Sequence, residues 1–268
     1  MTLKKSIKIL VNKLKIKFSY RKSAKYLSSI NKNPNILNGM IAYNKYGGYF
    51  NPISSQQRPA VQQILKGKVY EPDTIDFIRD NCYKGDIIHA GTFFGDFLPG
   101  ISSALNQKAK VWAFEPNNEN FKCAQITCMI NQLQNVNLYN AGLGDIATKL
   151  KMLVKSDKGE SLGGGSYISN ENHEGKSIEI ELVKIDDIIP VDRYISILQL
   201  DVEGYEKQAL IGAMDTVKRN KPIIILEDNN KIIESDWFRE NILALGYDKI
   251  GKLHENTVFK TVKTHSKV

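Results

Sequence analysis

Three short segments carry residue types that can do chemistry at useful spacing. Residues 198–206 read LQLDVEGYE, with Asp201 and Glu203 where a β-branched run from Ile195 gives way to a helical pattern. A carboxylate at the carboxyl end of a buried strand stands where open α/β sheets place their ligands. Alternation along an extended strand puts Asp201 and Glu203 on one side. Asp201 can orient a cationic group or take the proton from a hydroxyl, and Glu203 is the second candidate base or the cap of the following helix. Residues 110–117 read KVWAFEPN and end a second strand on Glu115, just before Pro116. Its two oxygens can accept from both hydroxyls of a ribose, in charge-assisted bonds of about 1.5–3 kcal/mol. Residues 86–97 read DIIHAGTFFGDF. There Gly91 and Gly95 let the backbone approach a ligand and free the amides of a helix start.

Strand, glycine turn, helix, strand, acid is the layout of a mononucleotide-binding half. The elements around it fit that reading. Strands are expected at 86–91, 110–115, 135–142, 195–201 and 222–227, alternating with helices at 95–107, 118–132, 204–218 and 235–245. Such alternation implies a parallel sheet with helices on both faces. Asp73, preceded by Pro72, is expected to cap a helix running to about Asn81. A hairpin of strands near 149–155 and 177–185 brackets a polar loop, 156–176, whose GESLGGGS run suits a substrate lid. Residues 247–262 suit a closing antiparallel hairpin.

The three motifs, here HAGTFFG, AFEP and QLDVEGYE, resemble those of the FkbM family of S-adenosylmethionine-dependent methyltransferases, over roughly residues 70–228. The family's first motif usually opens with Asp, and this chain has His89 there. The resemblance implies a Rossmann-like class I methyltransferase sheet, mostly parallel with a closing antiparallel hairpin, and S-adenosylmethionine as cofactor. It places the cofactor against His89, Gly91, Thr92, Phe94, Gly95 and Asp96 of the glycine turn. Glu115, Pro116 and Asn117 follow the second strand, Gly142 and Leu143 lie at the adenine side beside Ala141 and Asp145, and Asp201 completes the set. Asp201 and Glu203 are the catalytic candidates. The bulk of Phe93 and Phe94 leaves little room for a pyrophosphate and favours a methionine moiety there. A neutral imidazole at His89 cannot attract the cofactor's ammonium as a carboxylate would, so Asp96 or Asp201 is expected to take that contact. The implied reaction is O-methylation of a small molecule or glycan sugar. Two alternatives remain open: methylation of a nucleic acid, and a methyltransferase-like binding module with weak or no catalysis, which the His89 departure favours.

Charge separates the chain into two parts. Of 37 Lys and Arg, 14 fall within residues 1–70, which contain no Asp or Glu, so the remaining 198 residues carry a net −6. Residues 1–69 are read as a basic extension with an irregular segment after it, and residues 70–268 as the methyltransferase domain. Leu3, Ile7, Leu10, Leu14 and Phe18 stripe one face of a helix within residues 1–32 whose other faces are rich in lysine. That helix suits an anionic membrane surface or a partner. The acidic lean of the larger part, and the lack of an RNA-binding motif, speak against nucleic acid.

No run reaches the roughly 18 apolar residues of a spanning helix, and no secretory signal is expected. Cys82, Cys123 and Cys128 lack metal-ligand spacing and read as reduced thiols of a cytoplasmic protein. Peripheral contact with the inner membrane surface would come through residues 1–32. Arg58, within SSQQRPA, is the basic group nominated for a carboxylate or an anionic substrate, and His173 and His254 read as surface residues. No metal is required, although oxygens from Asp201, Glu227 and Asp228 would suit magnesium.

Overall fold

A computed structural model of the chain describes residues 36–168, 175–228 and 231–261. The basic helix expected within residues 1–32, and His173, lie outside the described residues. The chain divides into a unit of residues 1–38 and a unit Gly39–Val268; the second carries every feature below.

The unit opens with ordered elements where the abundance of Gly, Pro and Ser suggests irregular chain. Strands β1 (Gly39–Asn44) and β2 (Gly47–Pro52) form an antiparallel hairpin, and helix α1 (Pro59–Leu65) follows. What orders the hairpin is distant in sequence. The Asn131 side chain donates to the Gly48 carbonyl at 2.6 Å and accepts from its amide at 2.9 Å, and the Thr127 hydroxyl accepts from the Phe50 amide at 3.1 Å. Helix α2 (Pro72–Asn81) starts at Glu71 rather than at Asp73, because Pro72 takes the first turn, where a missing N–H costs nothing.

The expected alternation then runs through β3 (Asp86–Ala90), α3 (Leu98–Ser102), β4 (Val111–Phe114), α4 (Asn118–Ile130) and β5 (Val136–Tyr139). A small sheet interrupts it, built from β6 (Gly142–Leu143), β7 (Thr148–Leu153), β8 (Tyr167–Ile168) and β9 (Ser177–Val183), with β7 and β9 antiparallel as expected. Helix α5 (Ile185–Ile188) leads to β10 (Ile195–Leu200). The single helix expected over 204–218 is two, α6 (Glu206–Ile211) and α7 (Met214–Asn220). Gly212 lies between them because a Cβ there would overlap the carbonyl oxygen of Gly144. Strand β11 (Ile223–Glu227), helix α8 (Asp236–Asn241) and the hairpin β12 (Tyr247–Leu253) and β13 (Asn256–Thr261) complete the unit.

The main sheet has the order β12-β13-β11-β10-β3-β4-β5. The five strands β11, β10, β3, β4 and β5 are parallel, and β13 and β12 close the sheet antiparallel. The first strands run outward from β3, and the chain returns to place β10 on the other side of β3. A ligand crevice belongs at the carboxyl ends where that reversal occurs.

Alternation divides the core. Ile87, Ile197 and Ile225 pack with Ile75, Ile78, Leu98 and Ile101 on one face, while Ile88, Leu198, Leu200 and Leu226 pack with Leu210 and Phe238 on the other. The amino end of β3, opposite the crevice, is pinned by Asp86, which is 2% exposed. Asp86 accepts from Trp112 Nε1 at 2.8 Å, from the Lys110 amide at 2.9 Å, and from both Nε and a terminal nitrogen of Arg193.

Candidate active site

Two strand ends meet at the topological reversal through their backbones. The Asp201 amide donates to the Ala90 carbonyl at 3.2 Å. Gly91 follows with φ 86°, and a Cβ on it would overlap the carbonyl oxygen of Asp201. Only glycine satisfies both conditions. The amides of Gly91 and Thr92 each donate to the Phe114 carbonyl at 3.2 Å, which folds the turn back onto β4. Phe93 and Glu203 hold left-handed conformations, φ 49° and 51°, one in each of the loops that leave β3 and β10. Non-glycine residues in that region cost about 1–3 kcal/mol and cluster at ligand sites.

Glu115 ties the glycine turn to the second strand. It is 4% exposed; its Oε2 accepts from the Phe93 amide at 2.7 Å, and its Oε1 from the Asn117 amide at 2.8 Å and Asn120 Nδ2 at 3.4 Å. Burial pushes its pKa up to about 8 despite those donors. Asn120 also donates to the Gly163 carbonyl at 3.2 Å, so the glycine loop is joined to the same group. Asn117 caps α4, accepting from the Glu119 amide at 3.0 Å.

Two cavities open at the carboxyl ends. The first is a mostly apolar slot walled by Phe114, Ala141, Leu143, Met152, Ile168 and Ile180, with Glu115, Pro116 and Gly142. The second is an acidic chamber of about 190 Å³ lined by Glu71, Asp96, His89, Glu227 and Gln199, with Arg58, Tyr70, Phe93 and His254. Gly91, Gly164, Asp201 and Glu203 line both. Asp201 and Glu203 thus come together as the sequence suggests, though by a turn: β10 ends at Leu200, and Glu203 lies in the left-handed bend beyond it.

Four nominated residues line neither cavity. Phe94 is fully buried, Thr92 donates from its hydroxyl to the His89 carbonyl, Gly95 closes the turn by donating to the Thr92 carbonyl, and Asn117 is the helix cap. Thr92, Phe94 and Gly95 shape the turn, and Asn117 starts the next helix. Asp145 and Asp228 are also absent from the cavities; Asp228 accepts from the Ile232 amide at 2.6 Å. Glu203 does not hold the helix cap position, which is Tyr205, and Glu206 takes the amide of Gly204 at 2.9 Å. His254 is exposed as expected, yet pairs with Glu71 at 3.3 Å on the chamber's rim. Glu71, Tyr70 and Phe93 were not nominated. Glu71 is the first acidic residue of the chain and precedes a proline, a faint signal that only the structure makes meaningful.

The chamber is electrostatically crowded. Burial raises Asp96 to about 7 and, with Glu227 adding like charge, Glu203 to about 7, although Arg58 pulls Glu203 down. Asp201 is raised well above the usual carboxylate range by burial first, and then by its hydrogen bond and repulsion with Glu227. His89 goes the other way, to about 4, because burial disfavours its cation. Its Nδ1 is held by Gln199, and its ring stacks on Phe97 with centroids 5.3 Å apart.

A family model described as Methyltransferase FkbM domain matches residues 89–251, from the glycine turn to the closing hairpin. A methyltransferase FkbM from Methylobacillus flagellatus KT is 16% identical with a TM-score of 0.46; the match covers 66% of this chain but only 43% of that one. A SAM-dependent O-methyltransferase from Thermotoga maritima is 14% identical, TM-score 0.41, with 84% and 78% covered. A tRNA (uracil-54, C5)-methyltransferase from Pyrococcus abyssi, in complex with S-adenosyl-L-homocysteine, is 11% identical, TM-score 0.41, with 82% and 43% covered. No curated protein matches the sequence.

Proposed function

This chain belongs to the FkbM methyltransferase domain family, and from that premise we propose that it methylates a hydroxyl oxygen of a small molecule or a glycan sugar. The enzyme is a methyltransferase and its methyl donor is S-adenosylmethionine. The observation that carries the proposal is the shared wall: one cavity suits the donor, the other the acceptor, and Asp201 and Glu203 stand at their junction.

The first cavity is the one proposed to take the donor's nucleoside. Its apolar walls suit a purine, and Glu115 presents acceptor capacity to a ribose. The two short bonds to Glu115 leave one lone pair on each oxygen, with the 3.4 Å contact from Asn120 the one a ligand hydroxyl would displace. The methionine end would pass Gly91 toward the chamber, where Asp96 and Asp201 supply the negative charge that His89 does not. When bound, S-adenosylmethionine supplies an electrophilic methyl group; the chain's part is to align an acceptor oxygen with it. Such positioning can contribute about 7–11 kcal/mol of the barrier. Asp201 is the group proposed to receive or hold the acceptor's proton, with Glu203 beside it.

The chamber's carboxylates argue against a polyanionic acceptor such as a nucleic acid, since like charge in a desolvated site is costly. Among the described residues no helix is long and apolar enough to cross a membrane. Residues 1–32 are proposed to hold a cytoplasmic enzyme against an anionic surface. Salt-sensitive binding to anionic vesicles, lost on their removal, tests that attachment. The function itself is tested by incubating the protein with isotopically methyl-labelled S-adenosylmethionine and a panel of hydroxyl-bearing acceptors. Label in a methyl ether, on the acceptor's oxygen, supports the proposal. Label confined to nitrogen, carbon or nucleic acid overturns it.

A further inference from the structure

The chamber contains a cluster that methyl transfer by itself does not require. One carboxylate oxygen from each of Asp201, Glu203 and Glu227 lies within 4.8 Å of the others. Strand register explains the meeting. Leu200 pairs with Leu226, so the next residues of β10 and β11 emerge side by side, and the left-handed turn returns Glu203 to them.

A second observation points to the same place. His89 pairs in register with Gln199, two residues before Asp201, and lines the same chamber as the three carboxylates. The imidazole is 2% exposed, and its Nε2 has no hydrogen-bond partner among the described residues. Orphaned polar atoms of this kind are rare in buried positions and signal a missing ligand or water. Among the described residues Arg58 is the one guanidinium lining the chamber, against carboxyl groups that also include Glu71 and Asp96.

We propose that Asp201, Glu203 and Glu227 bind a divalent cation of the magnesium–manganese class, with His89 Nε2 offering a nitrogen acceptor to water that the cation carries. Carboxylate oxygens select hard cations of this class. On the proposed function above, on which only this consequence rests, a cation at that position faces the acceptor hydroxyl and makes it more acidic.

The test uses the full-length protein stripped with a chelator, titrated with Mn²⁺ and followed by the loss of the free-ion electron paramagnetic resonance signal. One ion per chain is expected. Glu227→Gln and Glu203→Gln should each weaken uptake by at least about 10-fold, the scale seen even for groups outside the coordination shell. Exposed Glu179→Gln, on the small sheet, should leave it unchanged. Circular dichroism confirms that each variant is folded. No uptake by the wild type, or uptake by both cluster variants equal to that of the wild type, overturns the proposal. Calorimetry of S-adenosylhomocysteine with the stripped protein separates the two claims, because donor binding without metal uptake leaves the methyltransferase reading standing and removes only the cation.

Discussion

The amide of Phe93 donates to Oε2 of Glu115 at 2.7 Å, so the glycine turn after β3 and the acid after β4 form one hydrogen-bonded unit. The conformation of the turn therefore depends on the carboxylate that the proposed function assigns to the ribose.

Glu115→Gln keeps the shape but sets a donor nitrogen against one of the backbone amides. Above about pH 8, where the Glu115 carboxyl is ionised, S-adenosylhomocysteine should bind about 1.5–3 kcal/mol more weakly in calorimetry, the range of hydrogen bonds to a charged group. An unchanged dissociation constant would remove Glu115 from the ribose.

Stability should respond to pH with a definite sign. Glu115 rises from 4.5 to about 8 on folding, and Asp96 and Glu203 rise to about 7. The folded state thus holds protons that the unfolded state has released, and this stabilisation is lost as pH climbs through 7 and 8. His89, lowered from 6.5 to about 4, acts oppositely but only below about 6.5. Between about pH 6.5 and 8 the melting temperature of the cofactor-free protein should fall, and Asp96→Asn together with Glu115→Gln should flatten the slope. A melting temperature rising over that range would contradict the assignment.

Asp201→Asn separates a proton acceptor from an orienting group. As the base, it should cost about 10²–10⁴-fold in turnover at saturating cofactor while leaving donor affinity nearly intact. Wild-type turnover in this variant would shift the role to Glu203.

Gly91→Ala combines two penalties. The left-handed backbone alone should cost about 1–3 kcal/mol, and the new methyl group must displace the carbonyl of Asp201. Urea denaturation should show the loss, and donor binding should fall with it even where the protein remains folded. A variant as stable as wild type would mean that the two loops separate easily.

The Asp86–Arg193 pair lies at the amino end of β3, away from both cavities. Arg193→Ala takes the charged partner from a buried carboxylate that keeps only Trp112 and the Lys110 amide, and should destabilise by about 1–3 kcal/mol. Donor affinity measured below the unfolding transition should not change. A loss below 1 kcal/mol would make the pair incidental.

How legible each part was depended on whether its cause was local. The parallel strands were readable because Ile87, Ile88, Ile197, Leu198, Ile224 and Ile225 pack on both faces, and such strands are apolar throughout. The acids Glu115 and Asp201 were readable because each ends such a run. The β1–β2 hairpin was not, since side chains of Asn131 and Thr127, about 80 residues away, complete its hydrogen bonding. The break at Gly212 depends on the backbone of Gly144, and the place of Glu71 in the chamber on distant strand ends. Thr92, Phe94, Gly95 and Asn117 share the motifs with cavity-lining residues, and a one-dimensional pattern cannot tell a residue that shapes a turn from one that looks out of it.

The pairing of His89 with Gln199 spans 110 residues, and that separation governs when the crevice can exist. During synthesis the glycine turn emerges early, beside β4 and β5, but its other wall is β10 and its acidic floor includes Glu227. No amino-terminal fragment ending before residue 200 contains both sides. Until the ribosome has released that strand, one edge of β3 stays unpaired and apolar. Closing so long a loop is slow relative to local helix formation, and such edges invite association in the interval. A nascent chain halted between β9 and β10 should therefore engage chaperones strongly and bind no donor. The release of β10 would mark both the end of that exposure and the first moment at which the enzyme can bind anything.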